Sequence, residues 1–369
     1  MAESCLAFTG GGTAGHINPG LAVIAELRGE FKGRIVWLGS TKEADRRLVE
    51  AAGVEYVAVP SGKLRRELSL ENLADAFRVV AGYATSKRVL AGLRPALLFS
   101  KGGYVSVPPC RAAADLGIPV FTHESDLTPG LATRLNADRA ERILLAYEAT
   151  RESLAPRLRD RALVVGNPLR PSMFAGDATR GRKALGLPEG LPLVLVMGGS
   201  QGARQINELV AAVLPALLER ACVVHQTGEA NAAPATRVLA RSERYRALPY
   251  IRDELPDLMA ASSILVSRAG ASSIWEAGAL GKPLVLVPLA GAATRGDQVD
   301  NARLFEKAGA AKVLLGAGAT PEALLAALGA WLDDPAAAAA AGAAARALAP
   351  SDAAARIARL ILDRTGAQK

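Results

Sequence analysis

Four short glycine-bearing stretches carry most of the chemistry this sequence could perform. The first, Thr9-Gly10-Gly11-Gly12-Thr13-Ala14-Gly15-His16-Ile17-Asn18-Pro19-Gly20, directly follows an apolar run. Glycine lets a backbone turn sharply and approach a ligand, and a helix starting just beyond offers free N–H groups and a positive dipole end, so an anion is suited there. Asn18 is the expected N-cap and Pro19 the first helical residue. Gly10, Gly12 and Gly15 satisfy G-x-G-x-x-G, but the next apolar run ends in Gly39-Ser40. No carboxylate stands there for a ribose diol, so NAD fits poorly. The second stretch, Met197-Gly198-Gly199-Ser200-Gln201-Gly202-Ala203, lacks the lysine of a triphosphate loop, but its amides and the Ser200 hydroxyl could grip a diphosphate. The third, from Ser267-Arg268-Ala269-Gly270 to Trp275-Glu276, opens a helix whose glutamate could accept hydrogen bonds from two ribose hydroxyls. Lys101-Gly102-Gly103-Tyr104 is the fourth.

The elements around these stretches read as α/β. Continuous apolar runs, as in strands buried on both faces, alternate with alanine-rich segments of helical period. In the N-terminal half the predicted strands are Leu6 to Thr9, Ile35 to Leu38, Tyr56 to Val59, Ala96 to Ser100, Val120 to His123 and Ile143 to Leu145. In the C-terminal half they are Leu193 to Met197, Val223 to Gln226, Arg246 to Tyr250, Ile264 to Ser267, Leu284 to Pro288 and Ala311 to Leu314. Two doubly wound sheets account for them. Val165-Gly166-Asn167-Pro168 punctuates the chain between the halves, which gives domains over 1–164 and 165–345 and a C-terminal helix over 346–369. The alanine-rich run 335–349 reads as helix, and the last helix sets Ile357, Leu360 and Ile361 on one face. Ligands of open α/β sheets collect at strand C-termini, so two such domains facing across a cleft would hold an anionic substrate between them.

Composition narrows the remaining possibilities. With 369 residues, 50% hydrophobic and 22% charged, the chain has material for two globular cores. Cys5, Cys110 and Cys222 form no CxxC pair, and His16, His123 and His225 show no metal-ligand spacing, so neither a disulfide framework nor a metal or other cofactor is expected. No apolar run approaches the ~18 residues of a membrane span, and the N-terminus does not read as a secretion signal. The net charge of +8 leaves room for an anionic partner, but with 4% aromatic residues and none interleaved among clustered bases, nucleic acid is not expected.

Taken in order, GGTAGHINPGLAVIAEL, KGGYVSVPP, His123-Glu124 through Pro129-Gly130-Leu131, GNPLR, GGSQGA, HQTGE, SRAGASSIWEAGALGKPLVLVP and DQVDNA resemble the motif series of the MurG family. These are peptidoglycan N-acetylglucosaminyltransferases that convert lipid I to lipid II on the cytoplasmic face of bacterial membranes. The resemblance spans about residues 6–315. It implies a GT-B fold, two Rossmann-like domains facing across a deep cleft, with UDP-N-acetylglucosamine held mainly by the C-terminal one. By motif position Arg170 and Ser200 would contact the donor, Ile251 uracil, Ala271, Ser272, Ser273, Ile274, Trp275 and Glu276 the nucleotide, and Gln298 the sugar. Thr13, Ala14 and Gly15 would lie close to the donor, and Gly11, Gly12, Gly102 and Gly103 would receive the acceptor's diphosphate. Where the family commonly reads His-Glu-Gln-Asn, this chain has His123-Glu124-Ser125-Asp126, which puts a carboxylate, Asp126, where an amide is expected near the transferred sugar. Ala14 replaces a usual second glycine.

The family reaction is inverting: the 4-hydroxyl of N-acetylmuramic acid attacks the anomeric carbon while UDP leaves. A base and charge stabilisation are both needed. His16 is the candidate base because an imidazole titrates near pH ~6.5. A loop-capping role is its alternative, and Glu124 and Asp126 are its rivals. His123 and His225 read as structural, Trp275 as helix packing rather than base stacking, and Lys101 as a solvated lysine or an acceptor-phosphate contact. Lys63, Arg65 and Arg66, with Leu70, Leu73, Phe77 and Val80 at helical spacing and then Lys87 and Arg88, form either an anionic-lipid contact or an ordinary packing helix. The expected partners are thus UDP-N-acetylglucosamine, lipid I and an anionic membrane surface, and the expected place is peripheral, on the cytoplasmic side of the membrane. The alternatives are a GT-B transferase with another acceptor and a non-catalytic binder of nucleotide sugars.

Overall fold

The computed structural model describes residues 4–62, 70–199, 202–228, 242–290 and 296–366, with 70–74 described by their backbone. Ser200, Lys63, Arg65 and Arg66 lie outside the described residues, as do the side chains of Leu70 and Leu73. The described residues up to Arg170, with those from Ser351 on, form one compact unit, and Pro171–Pro350 belong to a second.

The first unit is built on Cys5–Thr9 (β1), Arg34–Gly39 (β2), Glu55–Ala58 (β3), Leu97–Ser100 (β4), Val120–Glu124 (β5), Arg142–Leu145 (β6) and Ala162–Val164 (β7). These lie in the order β3-β2-β1-β4-β5-β6-β7, and every pairing is parallel. Alternate residues feed two cores. Leu6, Phe8, Trp37, Phe99 and Phe121 pack on one face, and Ala7, Val36, Leu38, Leu98 and Val120 on the other, which is why the strands read as unbroken apolar runs. The strand β7 was not anticipated, since three residues after a charged run give too short an apolar signal.

The second unit repeats the plan with Leu193–Met197 (β8), Cys222–Gln226 (β9), Tyr245–Leu248 (β10), Ile264–Ser267 (β11), Leu284–Leu286 (β12) and Ala311–Val313 (β13). Their order is β10-β9-β8-β11-β12-β13, again all parallel. The strand β10 stops short of Pro249, which has no N–H to continue a ladder. In each sheet the chain winds first to one side and then to the other. The reversals fall between β1 and β4 and between β8 and β11, the places at whose carboxyl ends open α/β sheets hold ligands.

The units divide at 170/171 and 350/351, not at 164/165 and 345/346. Val165 belongs to the first core, and the amides of Val165 and Gly166 both donate to the Leu145 carbonyl. The alanine-rich helix Pro335–Leu348 stays with the second unit: Asp334 caps it through the Ala337 amide at 2.9 Å, and Ala341 and Ala345 are buried. The last helix, Ala353–Thr365, returns to the first unit, where Ile357 and Ile361 pack with Val23, Ile24 and Leu27. Arg364 also grips Glu141 at 2.6 and 3.1 Å, but an exposed pair contributes little beside that apolar face. Ile361→Ala should therefore cost about 2–5 kcal/mol in urea unfolding of the first unit. An unchanged midpoint would show that the helix is not part of that core.

Candidate active site

In the first unit the stretches after β1 and β4 meet at the reversal. A Cβ on Gly103, whose φ is +76°, would stand 2.8 Å from the His16 ring and 3.1 Å from the Gly11 carbonyl, so only glycine lets the two loops close on each other. The loop after β1 enters its helix through a 3-10 turn, Ala14–His16, in which the amides of His16 and Ile17 donate to Thr13 and Ala14 carbonyls at 3.1 Å. Helix Asn18–Leu27 follows directly, so Asn18 is its first residue and the expected Asn18 cap is not formed; Ile17 holds the cap position. Thr13, Ala14 and Gly15 are exposed, with His16 half-buried beside them.

Of the glycines expected to cradle the acceptor's diphosphate, Gly12 and Gly102 have their amides bonded within the protein. Gly12 N–H donates to Asp45 Oδ2 at 2.7 Å, the same oxygen accepts from Ser40 Oγ at 2.6 Å, and Gly102 N–H donates to Ser100 Oγ at 3.2 Å. A Cβ on Gly11 would meet that Asp45 oxygen at 2.9 Å. A buried carboxylate under Gly11 and Gly12 repels a second anion. A cation stands against the same loop, Lys42, whose Nζ donates to the Gly12 carbonyl at 3.1 Å. Sequence reasoning missed Lys42 and Asp45 because both lie on the loop and helix after β2, away from any glycine motif.

At the end of β5, the Glu124 carboxylate accepts from the amides of Ser125 (2.8 Å), Asp126 (3.0 Å) and Gly130 (2.9 Å). Three amides on one carboxylate make it the organiser of the loop that carries Asp126. Lys101 is 2% exposed, so it is not the solvated lysine expected. Its Nζ donates to Ser125 Oγ, which in turn donates to Asn167 Oδ1 at 2.9 Å. Burial pulls the Lys101 ammonium down to about 8, against the opposing pull of Glu124 and Asp126, so it stays charged at neutral pH. His123 is a structural strand-end histidine: Nε2 lies 2.8 Å from the Gly166 carbonyl, and burial, helped by Lys101, holds the ring well below the usual range and therefore neutral.

In the second unit Gln226, at the end of β9, donates through Nε2 to the Gly199 carbonyl at 2.7 Å and accepts through Oε1 from Ile251 N–H at 3.0 Å. A Cβ on Gly202 (φ +75°) would come within 2.1 Å of the Thr227 carbonyl. Asn207 Nδ2 donates to that carbonyl at 2.8 Å, and His225 links Asn207 Oδ1 (3.0 Å) to the Tyr245 hydroxyl (3.2 Å). Burial lowers His225 to about 4. After β11, Gly270 precedes helix Ala271–Ala279, with Ala271, Ser272 and Ser273 half-buried in the first turn, where unsatisfied amides face a helix N-terminus. Ile274 and Trp275 are fully buried core residues, so their side chains are removed from the nucleotide contacts expected of that run. Glu276 is 9% exposed, Ile251 is buried, and Gln298 Oε1 accepts from Leu289 N–H at 2.9 Å, which leaves its NH₂ as the end able to donate to a sugar. Arg268, not singled out as a contact from sequence, reaches Gln205 Oε1 and the Val287 carbonyl, both at 3.0 Å, and places a cation beside the second reversal. Arg170 is the half-buried last residue before the unit boundary. Among the described residues no three His, Cys, Asp or Glu side chains are grouped to hold a metal ion.

Two Rossmann-like units, each with glycine loops at its strand reversal, are the architecture of GT-B glycosyltransferases. Residues 6–145 match the glycosyltransferase family 28 N-terminal domain and residues 193–357 its C-terminal domain. A UDP-N-acetylglucosamine--N-acetylmuramyl-(pentapeptide) pyrophosphoryl-undecaprenol N-acetylglucosamine transferase of Treponema denticola is 46% identical over 334 residues, 86% of this chain and 85% of that one. The like-named protein of Lachnoclostridium phytofermentans is 41% identical over 88% of this chain and 89% of its own. The chain belongs to the MurG family within glycosyltransferase family 28. Among solved structures, Acinetobacter baumannii MurG superposes with a TM-score of 0.75 at 23% identity, covering 98% of this chain and 99% of the other, and so shares the fold.

The neutral, buried His225 makes the fold acid-sensitive. Its pKa is near 6.5 unfolded and about 4 folded, so its contribution is complete above pH 6.5 and is lost as pH falls toward 4, because the unfolded chain binds the proton first. The loss amounts to roughly 3 kcal/mol. Urea unfolding from pH 7 to 4 should show this slope, and His225→Leu, less stable at pH 7 because Asn207 and Tyr245 lose a partner, should show a shallower one. Equal slopes would remove His225 from the transition.

Proposed function

We propose that this chain transfers N-acetylglucosamine from UDP-N-acetylglucosamine to the 4-hydroxyl of the N-acetylmuramic acid of lipid I, giving lipid II. The observation that carries this reading is its near full-length identity with transferases named for those substrates. The site chemistry fits. In the second unit the first turn of Ala271–Ala279 and the loop Gly198–Gly202 take the diphosphate, Glu276 the ribose, Ile251 the uracil and Gln298 a sugar hydroxyl, with Arg170 and Ser200 as further donor contacts. The helix N-terminus and Arg268 then face the charge that grows on the departing UDP.

The first unit supplies the acceptor side. The hydroxyl oxygen bonds to the anomeric carbon as the bond from that carbon to the diphosphate oxygen breaks, with its electron pair leaving on UDP. The hydroxyl proton passes to a base. His16 takes that role; Glu124 already accepts from three amides, and Asp126 is the remaining rival. Lys42 and the turn after Gly103 meet the acceptor's diphosphate in place of the amides of Gly12 and Gly102. Release of UDP that depends on a lipid I analogue is the deciding assay; UDP release without the acceptor, or none with it, would defeat this reading. His16→Ala should lower kcat about a hundredfold or more while leaving the donor dissociation constant within about twofold. Turnover near that of the parent would exclude His16 from the proton transfer.

A lipid-linked acceptor has to be reached at a membrane surface. No helix among the described residues is long and apolar enough to cross one. On helix Leu70–Leu93, however, Phe77 is 69% and Val80 66% exposed, on the same helix as Arg78, Lys87 and Arg88. Large apolar side chains rimmed by cations suit the interface of an anionic bilayer, on the cytoplasmic side where lipid I is made available. Phe77→Ser with Val80→Ser should reduce co-sedimentation with anionic vesicles severalfold without lowering turnover of a short-chain, soluble acceptor. Equal sedimentation by parent and variant would defeat the lipid contact.

A further inference from the structure

Gln226 is one of the few polar residues buried at a strand end that the proposed chemistry leaves without a task. It is 2% exposed, and both ends of its amide are engaged: Nε2 with the Gly199 carbonyl and Oε1 with Ile251 N–H. We infer that Gln226 is a positioning residue that couples the diphosphate loop of the second unit to its base-reading backbone, so that gripping the diphosphate and recognising uracil become one event. The inference rests on the reading that this unit binds a UDP-sugar.

Strand order makes Gln226 the place from which this can be done. The strand β9 lies between β8, which leads into Gly198–Gly202, and β10, whose exit carries Ile251. A side chain at the end of β9 therefore reaches both neighbours. Its own neighbours in the chain are locked. His225 is held by Asn207 and Tyr245, and the Thr227 carbonyl by Asn207, with Gly202 packed against it. Thr227 and Gly228 amides also donate to Leu248 and Pro249 carbonyls at 2.9 and 3.0 Å, which ties the β9 end to the β10 exit a second time. A displacement of either loop thus breaks a buried hydrogen bond to an amide that has nowhere else to turn. Residue type matters as well. Asparagine is one methylene too short, methionine has the length and no bonds, and glutamate can still accept from Ile251 but sets an anion against the Gly199 carbonyl.

That last difference gives the test. Full-length wild type, Gln226→Met and Gln226→Glu are titrated with UDP and with uridine, after far-UV circular dichroism has established that each is folded. Both variants should weaken UDP about tenfold to a hundredfold. Uridine should weaken with Met but stay near wild type with Glu, which preserves the Ile251 bond. In turnover, donor KM should rise with Met while kcat stays within about threefold, because the clamp acts on binding. A readout on the unmodified protein guards against misfolded variants: inorganic pyrophosphate alone should slow hydrogen exchange at the Ile251 amide. UDP affinity unchanged in Gln226→Met, equal loss of uridine in both variants, or no protection of Ile251 by pyrophosphate would each overturn the coupling. Failure of the wild type to bind UDP would instead overturn the donor site itself.

Discussion

A parallel sheet whose strand order reverses has one place where two neighbouring connections leave toward opposite faces, and the main glycine loops of this protein lie at two such places. Between β1 and β4, and again between β8 and β11, the chain must turn tightly and start a helix with its amides pointing back at the gap. This is why the glycines gather there. At Gly103 and Gly202 the reason is steric as much as conformational, since a side chain would drive into the His16 ring or the Thr227 carbonyl. Without those approaches the loops within each unit would stand apart.

Tight loops carry unsatisfied amides, and the structure meets them with buried side chains from neighbouring strands and helices. Asp45 takes the Gly12 amide, Glu124 takes three amides of its own loop, and Gln226 bridges two loops at once. A carboxylate or amide in this position costs desolvation, which the several short hydrogen bonds to it offset. The return is a backbone whose dipoles are already aimed before the substrate arrives, the condition under which they stabilise charge in a transition state. Residues that look catalytic by type are then often the ones holding the catalytic backbone still.

That distinction marks the limit of what could be read from the chain alone. The sheets were legible because strands buried on both faces leave continuous apolar runs, and twelve of them stand out in the sequence; β7 is too short to do so, and the return of Ile357 and Ile361 to the first core is a long-range event that no local pattern records. The glycine loops were legible as loops. Their partners were not, because Asp45 and Gln226 act across the sheet from positions 33 and 27 residues away from the atoms they bind. For the same reason Glu124 suggested chemistry by residue type, and only its bonding places it under its own loop, whereas Trp275 read as helix packing and lies in the core. The MurG resemblance supplied roles that spacing alone could not.

The carboxylate of Asp126, where the family commonly has an amide, meets the same kind of long-range partner. A carboxylate held in a partly buried loop is unfavourable unless its charge is balanced nearby. Here Lys101, sealed under the loop, donates to Ser125 Oγ and is drawn by the charge of Glu124 and then of Asp126. Asn167 completes the relay by accepting from Ser125. Lys101 belongs to the KGGYVSVPP motif, so the departure is confined to Ser125 and Asp126, and the carboxylate enters a loop whose opposing buried cation is already in place.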